Sequence, residues 1–346
     1  MTATGEKSNV FITVAIASYN YEQFILRMLE SVARQDFRDF EIVVTDDGST
    51  DRSVEVIRKF MADHPELSVR LFENEHLGLA SNRNASLDAA RGEYIMFCDA
   101  DDSIEEDCLS SLADAALKSH PDRVCSYVRD VDSQGKELQI EEQWGELPSR
   151  WMCNLHHGSL YRRSLFYDHG IRFTEAKGGD DFLISTVYNS FAKTIEFVPK
   201  PLYNWVVRSD STSGAKKTIT DYTGIHMIEP IVSSMQEVRE RIRSSKEDLD
   251  LFTYQLTRYY YFCIFHCYRY VPLSDTFRDY GEMRKMMKEM APDYLKNRYI
   301  TLKRPSPART YAKRIIFFSA LFEKLHVFKA ALVLYHLASK IVFFNT

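Results

Sequence analysis

Asp99-Ala100-Asp101-Asp102 is the segment of this sequence best suited to chemistry. It follows an apolar run, Tyr94-Ile95-Met96-Phe97-Cys98. Residues two apart on an extended chain point to the same side, so Asp99 and Asp101 can face one site. Two carboxylates placed there can hold Mg²⁺ or Mn²⁺, with water and phosphate oxygens filling the shell. Such a cation neutralises a diphosphate as it departs. A second acidic turn is Asp46-Asp47-Gly48-Ser49-Thr50-Asp51, at the end of the run Glu41–Thr45. Gly48 permits a tight turn, Asp46 and Asp47 can accept a hydrogen bond from a base N–H, and Asp51, Ser49 or Thr50 can cap the next helix. Ser18-Tyr19-Asn20 ends the first apolar run. Its ring could pack near a base, and ordinary turn chemistry would serve the same residues. Asp180 and Asp181 open a helical pattern, where acids complement the dipole of the first turn.

The elements that must position these residues alternate between β and α patterns. Strand-like runs at Val10–Ala17, Glu41–Thr45, Ser68–Phe72, Glu93–Cys98 and Arg123–Arg129 are separated by helical periodicity over Tyr21–Gln35, Asp51–Asp63, Leu79–Ala90 and Glu105–Ser119. That alternation predicts an α/β fold with a mostly parallel sheet flanked by helices. In such a sheet ligands bind beyond the carboxyl ends of the strands, where the three polar segments fall. Further strands are expected at His156–Tyr161, Thr194–Val198 and Leu202–Val207, and a helix over Asp180–Ala192. After Ser213 the pattern turns helical, at roughly Tyr222–Arg243, Lys246–Tyr270 and Asp275–Met290.

Composition narrows the class. With 346 residues the chain has room for a main domain and an appendage, and a net charge of -5 gives no basic balance for nucleic acid. The six cysteines form no C-x-x-C pair, which fits reduced thiols in a cytoplasm. Met1 to Asn9 lacks an apolar signal core, and no run of 18 residues is free of charge. From Thr301 to Thr346 there are eight Lys/Arg against one acid, Glu323, interleaved with aromatic residues. A basic aromatic amphipathic helix of this kind lies on an anionic membrane surface, or packs on the helices before it or on a second copy of the chain. His156 and His157 could line an acceptor pocket or serve the fold.

The combination Val14-Ala15-Ile16-Ala17-Ser18-Tyr19-Asn20, Val43-Val44-Thr45-Asp46-Asp47-Gly48-Ser49-Thr50-Asp51, Arg83-Asn84-Ala85, Arg91-Gly92-Glu93-Tyr94-Ile95 and Asp99-Ala100-Asp101-Asp102 resembles glycosyltransferase family 2. The match is dense over about residues 10–120 and thins towards about residue 214. It implies the GT-A fold over 8–215; the sequence pattern adds a helical region at 216–300 and the basic aromatic tail at 301–346. It also implies inverting transfer of a sugar from a nucleotide-diphospho-sugar, UDP being the family's commonest carrier. The acceptor would be a hydroxyl of a saccharide or lipid-linked saccharide, as in surface polysaccharide synthesis. Ser18, Tyr19, Asn20, Asp46, Asp47, Arg83, Asp99, Ala100 and Arg208 would line the donor. A divalent cation, Mn²⁺ or Mg²⁺, would be held by Asp101 with Asp99 or Asp102. In Gly179-Asp180-Asp181-Phe182-Leu183 the second acid resembles the family's general base, which assigns that role to Asp181. Arg208 matches a family Arg or His that reaches the pyrophosphate, while Val206 stands where members often carry Arg.

The cysteine usage points to a cytoplasmic enzyme, the basic aromatic tail to peripheral contact at the inner face of the membrane through 301–346, and the helical C-terminal region to self-association. Two rival readings are a sugar nucleotidyltransferase and a non-catalytic nucleotide-sugar scaffold. The first wants a Gly-rich basic loop after the first strand, which Ala17-Ser18-Tyr19-Asn20-Tyr21-Glu22 does not offer. The second would tolerate loss of Asp99, Asp101 or Asp181, all of which are present.

Overall fold

The computed structural model describes residues 10–142, 144, 149–174, 180–208, 234–267, 272–303, 305, 307–308 and 310–343. They pack as two units, one of residues 1–143, 155–175 and 191–214, the other of 144–154, 176–190 and 215–346.

In the first unit the strands are β1 (Ile12–Ser18), β2 (Phe40–Asp46), β3 (Val69–Glu73), β4 (Tyr94–Asp99), β5 (Ser103–Ile104), β6 (Arg123–Val131), β7 (Glu137–Glu141), β8 (Ser159–Arg162) and β9 (Ile195–Val206). Between them run α1 (Ile25–Ala33), α2 (Ser53–Asp63), α3 (Leu79–Ala89), α4 (Cys108–Ser119) and the short α5 (Arg163–Asp168). The sheet order is β3-β2-β1-β4-β8-β6-β9-β5, with β7 beside β6. Neighbours among β3, β2, β1 and β4 are parallel, β8 is antiparallel to β4 and β6, and β9 is parallel to β6. Every residue of β1 and of β2 is buried. That is why both read as unbroken apolar runs: interior parallel strands are covered on both faces. The order β2-β1-β4 means the chain leaves β1 on one side and returns on the other. A crevice opens beyond the carboxyl ends at such a reversal.

A buried polar cluster sets the opposite, amino end of these strands. Thr13 Oγ1 donates to Glu41 Oε1 at 2.8 Å, Gly92 N donates to Thr13 Oγ1 at 2.8 Å, and Arg70 Nη2 pairs with Glu41 Oε2 at 2.7 Å. A side chain at Gly92 would place Cβ 2.5 Å from Thr13 N and from Tyr94 O, so only glycine allows β4 to enter beside β1.

The expected pair of strands at 194–198 and 202–207 is a single strand, β9. Its partners on β6 shift register at Ser126/Tyr127 and again at Tyr127/Val128. The shifts bulge out the segment Val198-Pro199-Lys200-Pro201, whose prolines have no N–H to give the ladder. β5 and α5 fall in segments for which the sequence pattern carried no element expectation. Helix α1 starts four residues later than its periodicity suggested, because Tyr21–Phe24 form a turn, with Ile25 N bonded to Tyr21 O at 3.0 Å.

The second unit is helical: α6 (Asp180–Phe191), α7 (234–242), α8 (Lys246–Cys267), α9 (Leu273–Met290), α10 (Thr310–Lys324) and α11 (Phe328–Phe343). The expected helix from Tyr222 lies outside the described residues up to 233. The tail is two helices rather than one, broken where His326 takes φ 59. Phe328 is buried against Tyr261, Phe265 and Tyr280. The single acid of the tail, Glu323, is buried, accepting from Tyr261 Oη at 2.9 Å and Arg284 Nε at 2.7 Å, and from Tyr294 Oη. Packing on the preceding helices therefore accounts for one face of the tail. Among the described residues no helix is long and apolar enough to cross a membrane.

Candidate active site

The residues that end β1 and β2 are bound to one another. Asn20, in the left-handed region at φ 56, donates through its backbone to Ser49 Oγ at 2.8 Å, and its side-chain oxygen accepts from Thr50 N at 2.8 Å. Asn20 thus staples the two turns. Asp46 folds back on its own turn, accepting from Ser49 N at 2.8 Å and Ser49 Oγ at 2.6 Å. Ser18 is buried, and its carbonyl accepts from Asp47 N at 2.9 Å. Asp47 gathers the loop before α3, through Leu77 N at 2.9 Å, Gly78 N at 3.1 Å and His76 Nδ1 at 2.9 Å. The His76 ring stacks on Tyr19 with centroids 4.3 Å apart. Both rings remain accessible, giving a flat aromatic face beside a buried carboxylate.

The acidic turn after β4 is held from three directions. Asp99 Oδ1 accepts from Arg83 Nη2 at 2.8 Å, and its Oδ2 lies 3.1 Å from His157 Nε2. Asp101 Oδ2 pairs with Arg208 Nη2 at 3.1 Å, and its carbonyl accepts from Arg27. Arg208 itself lies 3.9 Å from the centre of the Phe24 ring, a cation–π contact that fixes its plane. Asp102 points the other way. Its Oδ2 accepts from Tyr203 Oη at 2.7 Å and its Oδ1 from Val206 N at 2.8 Å, both on β9. Tyr203 Oη also accepts from Asp99 N at 3.1 Å, so one hydroxyl ties both ends of the turn. Ala100 is fully buried beneath them.

The electrostatics follow from this crowding. Burial alone would raise Asp99, but Arg83 and His157 reverse the effect and hold it well below the ordinary carboxylate range. Asp101 is raised by burial and by the Asp99 charge, against the pull of Arg208. Burial, with Asp99 and Asp101 nearby, pushes Asp102 up to about 8. A hard, oxygen-seeking divalent cation fits this turn. Its carboxylates repel one another, and Asp101 already carries a cationic partner on one oxygen. Asp99, His156 and His157 also bring ligand-type atoms within 4.8 Å of one another. There Asp99 Oδ2 and His157 Nε2 already pair at 3.1 Å, so a cation seated between Asp99 and the two histidines would have to displace that contact.

Ser18, Tyr19, Asn20, Asp46, Asp47, Arg83, Asp99, Ala100, Asp101, Asp102 and Arg208 are all in the first unit, around the carboxyl ends of β1, β2 and β4. Asp181 belongs to the second unit, in the first turn of α6 beside Asp180. Sequence reasoning passed over His76, Arg27 and Tyr203. His157, noted as a candidate for an acceptor pocket, is instead placed against Asp99.

Residues 13–170 match the glycosyl transferase family 2 model. Over 255 residues the chain is 27% identical to the glycosyltransferase EpsH of Bacillus subtilis, covering 70% of this chain and 73% of EpsH. Over 205 residues it is 30% identical to TarS of Staphylococcus aureus, a poly(ribitol-phosphate) β-N-acetylglucosaminyltransferase; the match covers 57% of this chain and 36% of TarS. The crystal structure of TarS residues 1–349 in complex with UDP-GlcNAc superposes with a TM-score of 0.71 at 21% identity, over 95% of this chain and 92% of that one. The likeness establishes the GT-A fold.

Proposed function

We infer the activity from one premise: through residues 13–170 the chain belongs to glycosyltransferase family 2. We propose that it transfers a sugar, with inversion, from a nucleoside-diphosphate sugar to an acceptor hydroxyl on a saccharide or lipid-linked saccharide in surface polysaccharide synthesis. The likeness to TarS, which was solved with UDP-GlcNAc, supports a uridine carrier. The observation that carries the reading is the acidic turn at the strand-order reversal. Its carboxylates are each met by a basic partner or by the hydroxyl of Tyr203.

In this reading the Tyr19–His76 face and the Asp47 region receive the base. Asp99, kept ionised by Arg83 and His157, accepts hydrogen bonds from donor hydroxyls. Asp101, with Asp99, would hold the divalent cation, while Asp102 braces the turn from β9. Mn²⁺ or Mg²⁺ held there would offset the charge of the departing diphosphate. Arg208, paired with Asp101 here, would turn to the pyrophosphate of the donor. Asp181 takes the proton of the acceptor hydroxyl as it attacks the anomeric carbon from the face opposite the leaving group. The 8–215 domain boundary belongs to the same proposal, as does contact of 301–346 with the inner face of the membrane.

Asp181→Asn tests the base. We expect transfer to fall by at least about 100-fold, with donor affinity, read as nucleotide-dependent thermal stabilisation, within a few-fold of wild type. Near-normal turnover would remove Asp181 from the role. A thermal-shift series of nucleoside diphosphates with and without Mn²⁺ tests the donor. No cation-dependent nucleotide effect would refute the assignment of Asp101.

A further inference from the structure

Helix α9 carries Gly281, Arg284, Lys285 and Lys288 at the spacing i, i+3, i+4, i+7, so all four lie on one face. With Lys329 from the start of α11 they line a cleft of about 530 Å³, in which Glu289 is the one acid. Both helices belong to the second unit. The chain as a whole has a net charge of -5, so four cations converging on one cleft depart from its general balance.

Helix-dipole complementarity explains Lys288, which stands in the last turn of α9. It does not explain Lys329, which arrives from another helix. Like charges at i, i+4, such as Arg284 and Lys288, destabilise a helix unless something lies between them. Arg284 has its Nε on the buried Glu323 at 2.7 Å, which anchors the guanidinium at the cleft wall. Lys285, Lys288 and Lys329 are exposed and carry no ion pair among the described residues. Gly281 leaves open space where a side chain would otherwise stand. Elsewhere on the second unit α11 exposes Leu334 and Leu337, and the turn before it Leu325 and Val327. A cleft that gathers cations, on a unit that also exposes apolar side chains, suits a surface that is anionic outside and apolar beneath.

We infer that the cleft between α9 and α11 binds the phosphate of anionic phospholipid headgroups, seating the second unit on a membrane surface. The inference rests on the peripheral contact proposed for 301–346 and supplies its phosphate-binding part. Lys285 and Lys288 lie outside that segment, so the two can fail separately.

The test is co-sedimentation of the full chain with phosphatidylcholine vesicles, with and without phosphatidylglycerol. Each lysine near an anionic surface contributes roughly five-fold to binding. Lys285→Gln with Lys288→Gln should therefore weaken binding to the anionic vesicles by about 30-fold. Binding to neutral vesicles should be negligible throughout. The melting temperature and nucleotide-dependent stabilisation of the double variant should match wild type, since both lysines are solvent-facing. Wild-type binding that the double variant retains overturns the cleft and leaves the tail contact standing. No wild-type preference for anionic vesicles overturns both. Binding of soluble glycerol phosphate without binding to vesicles overturns the membrane assignment.

Discussion

Tyr203→Phe removes one oxygen atom and should loosen the whole acidic turn. The hydroxyl is fully buried; it donates to Asp102 Oδ2 at 2.7 Å and accepts from Asp99 N at 3.1 Å. The phenyl ring keeps its packing, so the loss is confined to two hydrogen bonds and the groups left without them. Near neutrality Asp102 keeps its proton, so both bonds join neutral groups and net about 0.5–1.5 kcal/mol each. We expect a cost there of about 1–3 kcal/mol and a fall in Tm of several degrees, larger above the folded Asp102 value, where the acceptor is charged. The pH dependence gives a sharper readout. An unfolded aspartate titrates near 3.9, whereas folded Asp102 is pushed up to about 8 by burial and its acidic neighbours. Between those values the folded state keeps a proton that the unfolded chain has released. Stability therefore falls as pH rises, by at most about 1.4 kcal/mol per unit from this group, and levels off above the folded value. Tyr203 donates to the carboxylate, so removing its O–H raises the folded value further. In the variant the decline continues where that of wild type has stopped, and the gap widens on the alkaline side. Urea unfolding of chelator-treated protein, near neutrality and again above the folded Asp102 value, measures both effects. A loss below about 0.5 kcal/mol, or a gap that stays constant with pH, would refute this account of the turn.

Gly92→Ala should cost more than about 3 kcal/mol, because its Cβ would meet the backbone at Thr13 and Tyr94 at 2.5 Å; soluble yield and unfolding midpoint report it, and a wild-type midpoint would contradict the packing. Arg208→Gln removes the cation from Asp101, so Mn²⁺ alone should bind roughly 5–30-fold more tightly, by calorimetry, while donor affinity falls; unchanged Mn²⁺ affinity would show that the pair does not compete with the metal. Asp248 lies 2.7 Å from Arg150 Nη2 and accepts from Trp151 Nε1 at 3.0 Å. Burial opposes its ionisation, but those partners prevail and lower its titration. A lowered carboxylate stabilises above its unfolded value and ceases to as pH falls through the folded one. Asp248→Asn should thus cost about 1 kcal/mol near neutrality, a penalty that shrinks in acid; one that grew in acid would reverse the assigned sign.

Whether a feature could be read from the sequence depended on the range of the interaction behind it. Strands β1, β2 and β4 were legible because interior parallel strands leave continuous apolar runs, and the acidic turns because they punctuate those runs. The consequences of adjacency were not. Asp101 and Asp102 look interchangeable as neighbours in a D-x-D-D string, yet the chain turns here, with Asp102 N donating to Asp99 O at 3.2 Å, and the two side chains leave the turn in different directions. One therefore meets Arg208 and the other a tyrosine 101 positions later. Nothing local to Asp102 announces that tyrosine. Its strand was also disguised, because Pro199 and Pro201 read as a break and only the double register shift on β6 lets β9 run through them. Asn20 has a second role that its place at a strand's carboxyl end does not announce: its left-handed backbone and its acceptance of the Thr50 and Asp51 N–H groups hold two turns together. The acids thus reveal where charge gathers. Which of them remain available to a substrate is decided by counter-ions and donors on other strands, and those partners are fixed by sheet register rather than by any motif.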